Sequence, residues 1–172
     1  MFIRSPHSHT KCETTAHSLV FNEIDGPTLS LRRFEGQPIL VVNTASKCGF
    51  VSQFGALQEL WDRYRERGLI VIGVPSNDFG EQEPSFNDEI QSLYREHGIT
   101  FIITEKTVVV GEDAHPFYRW VVDELGEGAA PTWNFHKYLI DGAGRFAGLW
   151  PAEVNPLDTS VVETIESLLP CS

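Results

Sequence analysis

One cysteine, Cys48, stands in a short polar turn between two segments of different periodicity. Residues 38–42 are an apolar run typical of a buried strand, and residues 51–67 carry apolar side chains at helical spacing. Cys48 therefore lies between the end of a strand and the start of a helix, where unpaired N–H groups favour an anion. Because the thiolate is the nucleophile, this place suits a reactive cysteine. A loop cysteine is more often a small semi-buried residue, so the turn alone does not decide.

A second loop rich in turn residues follows the next apolar run. Residues 69–74 are continuously apolar, as expected of a strand covered on both faces, and strand–helix–strand at this spacing predicts a parallel pair. The loop at 75–84 then leaves the same edge of the sheet as Cys48. Open α/β sheets keep their sites at that edge, so the two loops together favour a site there.

The remaining chain predicts two hairpins and alternating strands and helices. The order is hairpin, β, α, β, α, β, α, hairpin, α, which fits an α/β fold with a mixed central sheet and helices on both faces. Thioredoxin-like architecture is the natural candidate. These elements are a hairpin at 19–31 turning at Asp25-Gly26, helices at 85–97 and 115–125, strands at 99–103 and 108–110, a hairpin at 138–150, and a last helix capped by Asn155 with Pro156 first.

Length and composition limit the number of domains and the classes of partner. With 172 residues we expect a loose tail at 1–17 and a single domain at 18–172. The formal net charge of −11 disfavours nucleic acid and anionic membranes as partners. No apolar run approaches the length of a transmembrane helix, and the polar start of the chain is not typical of a secretory signal.

Cysteine usage indicates a reducing compartment. Cys12, Cys48 and Cys171 are too few and too scattered for a disulfide framework, so we expect a cytoplasmic protein. Cys12 follows His7 and His9 in the tail, but this spacing matches no standard zinc pattern, and no metal site is expected.

Three motifs in order resemble the glutathione peroxidase family over about residues 19–169. Residues 43–49 (NTASKCG) resemble its active-site segment, in which the nucleophile is selenocysteine or cysteine. Residues 73–84 (GVPSNDFGEQEP) resemble its second motif and 133–139 (WNFHKYL) its third, with 114–116 (AHP) as a further match. The resemblance implies a thioredoxin-like fold and reduction of hydroperoxides by a thiol, with an antioxidant role in the response to oxidative stress.

The resemblance also implies four catalytic residues, carried over position by position: Cys48, Gln82, Trp133 and Asn134. The two amides and the indole are neutral N–H donors, which favour a charged sulfur and can stabilise the leaving oxygen. The resulting sulfenic acid needs a second thiol, so the co-substrate is glutathione or thioredoxin and no other cofactor is implied. Candidate substrate-binding residues are Lys47, Gly49 and Lys137, with Arg145 as a further candidate cation.

Two departures from the family bear on the reductant and on the nucleophile. Many cysteine-type members carry a resolving cysteine in the helix after the second motif, but residues 90–94 hold none, and Ser76 stands where some relatives have Cys. The simplest cycle therefore uses an external thiol such as glutathione. Asp78 and Glu81 replace the more usual Gln and Gly, and acidic groups near Cys48 disfavour its thiolate.

Alternatives remain open from the sequence. Cys12 or Cys171 could resolve the sulfenic acid, within the chain or across a dimer, and make the enzyme dependent on thioredoxin. The protein could also be a sensor that passes its oxidation to a partner protein. A thioredoxin-type oxidoreductase is disfavoured because residues 48–51 lack a second cysteine. The sequence leaves open monomer or homodimer, and hydrogen peroxide or organic hydroperoxide as substrate.

Overall fold

A five-stranded mixed sheet organises the computed structural model, which describes residues 14–83 and 86–170. A separate two-stranded antiparallel hairpin precedes it. The strands are β1 (Val20–Asn22), β2 (Thr28–Ser30), β3 (Ile39–Thr44), β4 (Ile70–Pro75), β5 (Ile102–Ile103), β6 (Lys137–Ile140) and β7 (Phe146–Trp150), and the helices are α1 (Gln53–Tyr64), α2 (Asn87–Glu96), α3 (Pro116–Leu125) and α4 (Thr159–Leu168).

Strand β3 is the centre of the sheet, whose order is β5-β4-β3-β6-β7. It pairs parallel with β4 and antiparallel with β6, so one half of the sheet is parallel and the other antiparallel. The carboxyl end of β3, which leads to Cys48, therefore lies beside the end of β4 and the start of β6. These three chain positions carry the three predicted site segments.

Both faces of the sheet are covered. All six residues of β3 are buried, and the side chains of residues 39–42 alternate between two apolar clusters. Leu40 and Val42 pack with residues of α1, α2 and α4, whereas Ile39 and Val41 pack with residues of α3 and of the β1–β2 hairpin. The predicted mixed sheet with helices on both faces, and the predicted order of elements, are confirmed.

Several predicted boundaries are wrong. Asn155 does not cap the last helix: its side chain accepts from Leu157 N at 2.8 Å in a preceding turn, and Asp158 caps α4 by accepting from Ser160 N at 2.9 Å. Residues 108–110 are not a strand, because the N–H groups of two of them are taken by a carboxylate of the second loop.

The end of the predicted tail is packed. Ala16 N donates to Gly144 O at 2.9 Å, the Trp120 indole donates to Thr14 O at 2.9 Å, and Ala16 and His17 are buried. Residues 14–17 thus belong to the fold, since the turn between β6 and β7 and the indole of α3 give their backbone partners. The rest of the predicted tail, with Cys12, and the terminal Cys171 lie outside the described residues. No helix among the described residues is long and apolar enough to cross a membrane.

Candidate active site

Cys48 lies in a series of turns between β3 and α1. Its Sγ accepts a hydrogen bond from Phe50 N at 3.4 Å, and its carbonyl accepts from Val51 N at 3.0 Å. Helix α1 starts only at Gln53, so the donor that faces the sulfur belongs to the turn rather than to the first turn of the helix. The cysteine is 3% exposed. The turn itself is at the surface, because Lys47 and Gly49 are exposed.

Gln82 and Asn134 are in direct contact, although 52 residues separate them along the chain. Asn134 is fully buried, and its Nδ2 donates to Gln82 Oε1 at 2.9 Å and to Phe79 O at 3.3 Å. The main-chain carbonyl of Gln82 accepts from Lys47 N at 3.0 Å. Gln82 is therefore held by its side chain to Asn134 and by its backbone to the residue before Cys48.

Trp133 lies at the surface of the same loop cluster, next to Asn134 in the chain. It is 36% exposed, and its ring packs against Phe79 with the ring centroids 5.9 Å apart. Gly80 lies between the two predicted donors: a Cβ there would stand 3.1 Å from the Trp133 ring and 3.5 Å from the Gln82 side chain. Its φ of +66° also favours glycine. A side chain at position 80 would therefore press on the Trp133 ring, whereas its Cβ would only touch the Gln82 side chain.

Asn43, a residue that the sequence analysis passed over, locks the Trp133 turn to β3. Its buried side chain donates through Nδ2 to Trp133 O at 2.9 Å and accepts through Oδ1 from His136 N at 3.1 Å. Its carbonyl accepts from Phe135 N at 2.6 Å. The strand that leads to Cys48 thus also fixes residues 133–136. The signal in the sequence was a buried amide at the end of an apolar strand.

Glu83, also missed, ties the second loop to the Cys48 turn. Its fully buried carboxylate accepts from Ser46 N at 2.8 Å, from Ser46 Oγ at 2.6 Å and from the Tyr94 hydroxyl at 2.8 Å. Burial, and then the charge of Glu83, hold the pKa of Tyr94 well above its ordinary value, so the hydroxyl remains a donor. Since Tyr94 gives its proton to Glu83, Thr44 Oγ1 donates to Tyr94 at 2.7 Å.

The predicted substrate-binding residues are placed very differently. Lys47 and Gly49 are exposed beside Cys48. Lys137 is fully buried, and its Nζ donates to Phe135 O at 2.7 Å, so it does not face a substrate. Arg145 follows the end of β6 that pairs with the start of β3, at the opposite end of the sheet from Cys48. The interpretations of Lys137 and Arg145 as substrate-binding cations are therefore wrong.

Asp78 and Glu81, the two acidic residues that depart from the family pattern, lie in the second loop. The carboxylate of Asp78, an exposed residue, is held by the backbone of residues 108–110, because Oδ2 accepts from Val109 N at 2.7 Å and from Val110 N at 3.3 Å. Glu81 is exposed, with a φ of +51°. Among residues 14–83 and 86–170 no three His, Cys, Asp or Glu side chains are grouped so that they could hold a metal ion.

Comparison with known proteins identifies the family. The family model described as "Glutathione peroxidase" matches residues 16–122. The chain belongs to the glutathione peroxidase family. It is 36% identical over 168 residues to hydroperoxy fatty acid reductase gpx1 of Synechocystis, covering 92% of this chain and 98% of that protein. It is 38% identical over 150 residues to glutathione peroxidase homolog BsaA of Bacillus subtilis, covering 83% of this chain and 93% of that protein.

Solved structures agree on the fold. The crystal structure of Trgpx in apo form superimposes with a TM-score of 0.70 at 29% identity, covering 92% of this chain and all of that one. A thioredoxin family protein from Chlorobium tepidum, at 17% identity, gives a TM-score of 0.68 over 90% of this chain and 95% of that one. The predicted thioredoxin-like fold is confirmed. As a glutathione peroxidase family member, the protein is a thiol peroxidase, an oxidoreductase that acts on peroxides.

Proposed function

We propose that Cys48 is the peroxidatic nucleophile and that Gln82 and Trp133 are the donors that assist it. The observation that carries this proposal is the junction of the three segments: Gln82 is bonded through its side chain to Asn134 and through its carbonyl to Lys47 N at 3.0 Å. These contacts bring the second and third site segments to the Cys48 turn, as a shared reaction site requires.

In the first half-reaction the Cys48 thiolate attacks one peroxide oxygen. An S–O bond forms, the O–O bond breaks, and the other oxygen leaves as an alkoxide or hydroxide that takes up a proton. Cys48 becomes a sulfenic acid and the peroxide an alcohol or water. The Gln82 amide and the Trp133 indole stabilise the negative charge on the leaving oxygen, because neutral donors do so without neutralising the sulfur.

In the second half-reaction two external thiols restore the enzyme. The first attacks the sulfenic sulfur and releases water, leaving a mixed disulfide, and the second attacks that disulfide and releases Cys48. The sum is one peroxide and two thiols to one alcohol, one water and one disulfide. Cys48 is the one free cysteine within the described residues, and we propose glutathione or a similar small thiol as the reductant.

Limited access to the Cys48 sulfur affects the two half-reactions differently. Cys48 is 3% exposed, so a hydroperoxide group reaches it more easily than the thiol of a tripeptide. We expect the reductive half-reaction to be rate-limiting. The apolar rings of Phe79 and Trp133 beside Gln82 suit an organic hydroperoxide as well as hydrogen peroxide, in keeping with the Synechocystis relative, which is named a hydroperoxy fatty acid reductase.

A steady-state assay tests the proposal. Consumption of hydrogen peroxide and of an organic hydroperoxide is measured with glutathione and, separately, with thioredoxin and its reductase. We expect turnover with glutathione that Cys48→Ser abolishes. Turnover with thioredoxin alone, with a Cys48–Cys12 or Cys48–Cys171 disulfide in mass spectra, would instead show a remote resolving cysteine. Stoichiometric oxidation of Cys48 without turnover would show a sensor.

The cellular setting follows from the same chemistry. A free thiol that must return to the reduced state after each cycle works in a reducing compartment, and we propose the cytoplasm. We propose a monomer or homodimer, since the site segments that converge on Cys48 all come from one chain. Neither nucleic acid nor membrane is proposed as a partner for a chain of net charge −11.

A further inference from the structure

Lys137 carries a buried ammonium group that the proposed reaction does not use. Its Nζ lies 2.7 Å from Phe135 O, 3.4 Å from Ala152 O and 3.5 Å from Pro151 O, and the residue is fully buried. Burial lowers the pKa of Lys137 to about 7, and the charge of Glu153 opposes that change. An ammonium held in this way is a donor to backbone carbonyls rather than a ligand for substrate.

The three carbonyls belong to segments on two sides of the site. Phe135 directly follows Trp133 and Asn134 and has a φ of +67°, a left-handed conformation that is strained for a bulky residue. Pro151 and Ala152 follow β7. The Ala152 carbonyl also accepts from Gln53 Nε2 at 2.6 Å, and Gln53 is the first residue of α1, just after the Cys48 turn.

We propose that Lys137 is a positioning residue for the peroxidase reaction. Its ammonium holds the Phe135 turn, and therefore the side chains of Trp133 and Asn134, in register with the Cys48 turn through Ala152 and Gln53. This inference rests on the proposed function of Cys48.

The physical reason is that strain and buried carbonyls both need compensation. A left-handed Phe is strained unless its surroundings hold it, and the hydrogen bond from Lys137 Nζ to its carbonyl does so. Without the ammonium, that carbonyl loses a partner inside the protein, where an unsatisfied polar group is costly. The turn then relaxes, and small displacements of catalytic donors have large effects on rate.

The test compares two reactions of Cys48 in Lys137→Met, which keeps a side chain of similar length without the charge. One reaction is with hydrogen peroxide, and the other is alkylation by iodoacetamide, which needs the thiolate but no donor aimed at a leaving oxygen. We expect the second-order rate constant with peroxide to fall about tenfold or more, as for loss of aligned donors, and alkylation to change less than about threefold. In a background that lacks both positioned side chains, the double variant Asn134→Ala with Trp133→Phe, Lys137→Met should have little further effect.

Controls separate positioning from general destabilisation. Val121→Ala, in the buried face of α3 on the other side of the sheet, lowers stability without touching these segments, and its peroxide rate should match the wild type. Gln53→Met removes the donor on the other side of Ala152 and should reproduce the selective loss if Lys137→Met does not fold.

Three results would overturn the inference: an unchanged peroxide rate in a folded variant, equal losses in the two reactions, or an undiminished effect of Lys137→Met in the Asn134→Ala, Trp133→Phe double variant. If wild-type Cys48 itself does not react with peroxide, the proposed function fails instead. If the wild type and Lys137→Met react equally fast with peroxide, the positioning role of Lys137 is rejected and the proposed function of Cys48 stands.

Discussion

The side-chain amide of Asn134 donates to the side-chain oxygen of Gln82 at 2.9 Å. This contact uses the acceptor of Gln82 and leaves its NH₂ group as a donor. Asn134 Nδ2 also donates to Phe79 O at 3.3 Å, so both of its N–H groups are committed, and its buried Oδ1 has no partner among the described residues. The sequence analysis expected Asn134 to be a third donor to the sulfur. Because its two N–H groups are bonded to Phe79 O and Gln82 Oε1, we propose instead that Asn134 orients Gln82.

The first prediction is that Asn134 and Gln82 act as a unit. Asn134→Ala removes the bond that orients the Gln82 amide, and Gln82→Ala removes the donor, so each should slow the reaction of Cys48 with peroxide about 10²-fold, the size expected for loss of one donor. Because Asn134 works through Gln82, the double variant should be about as slow as Gln82→Ala alone. Stopped-flow measurement of peroxide reduction tests this.

The outcome that contradicts this prediction is additivity. If the double variant is slower by the product of the two single effects, Asn134 contacts the reacting atoms independently. Trp133→Phe is the matched comparison: among the described residues the Trp133 indole N–H makes no hydrogen bond to Asn134, so the effect of its loss should multiply with that of Asn134→Ala.

The second prediction concerns the buried carboxylate of Glu83. Glu83→Gln puts an NH₂ group where the carboxylate accepts from Ser46 and Tyr94, so one of those donors loses its acceptor. Losing a hydrogen bond to a buried charged group costs about 2 kcal/mol, and the Cys48 turn loosens from the second loop. We expect lower stability in urea and about tenfold slower peroxide reduction.

Glu89→Gln is the matched control, since Glu89 is exposed on α2. It makes the same chemical change at the surface and should alter neither stability nor rate beyond experimental scatter. A Glu83→Gln protein that behaves like this control would show that the hydrogen bonds from Ser46 and Tyr94 to the Glu83 carboxylate are dispensable.

What the sequence could predict was local. Apolar periodicity gave the order of strands and helices, and two loops at one sheet edge located Cys48 and Gln82. Asn155 was mistaken for the α4 cap because Asn before Pro carries the same signal as Asp158 three residues later. The β-branched run at 108–110 looked like a strand, but Asp78, about thirty residues earlier, takes its N–H groups.

The contacts of the buried charged residues could not be predicted from the sequence for a related reason. The sequence analysis assigned Glu83 no role of its own and made Lys137 a candidate substrate-binding residue, and only their partners show buried contacts: Ser46 lies 37 residues from Glu83 in the chain, and Ala152 lies 15 residues from Lys137. Composition and periodicity report whether a segment is apolar, not which distant group satisfies a polar atom.

The third prediction is a stabilising substitution in the second loop. Glu81 is exposed and has a φ of +51°, in the left-handed region that favours glycine. Glu81→Gly removes this strain and should raise the free energy of unfolding by about 0.5–1 kcal/mol. Glu124→Gly, in the exposed part of α3, should lower it by a similar amount, because glycine is unfavourable inside a helix. Urea unfolding of both proteins measures whether the free energy of unfolding rises or falls in each. A fall in both variants would refute the strain at position 81.

The fourth prediction is a pH dependence of stability that comes from His136. Neither ring nitrogen has a partner among the described residues, and the ring stacks on Tyr138 with the centroids 4.9 Å apart. Burial, and then the charge of Lys137, lower the pKa of His136 to about 4, while Glu153 opposes the change. Between about pH 4 and the ordinary pKa near 6.5 the unfolded chain therefore binds a proton that the folded protein does not, so stability falls as the pH falls.

His136→Phe keeps an aromatic ring against Tyr138, loses no hydrogen bond of the imidazole and removes the titration. Its stability relative to the wild type should increase as the pH is lowered from 6.5 to 4, by on the order of 1 kcal/mol once solvent screening is allowed for. Urea unfolding at several pH values measures this difference. Val121→Ala, which removes no titratable group, is the control, and its difference from the wild type should not change with pH in this window. A constant offset between His136→Phe and wild type across the range would show that His136 titrates alike in both states.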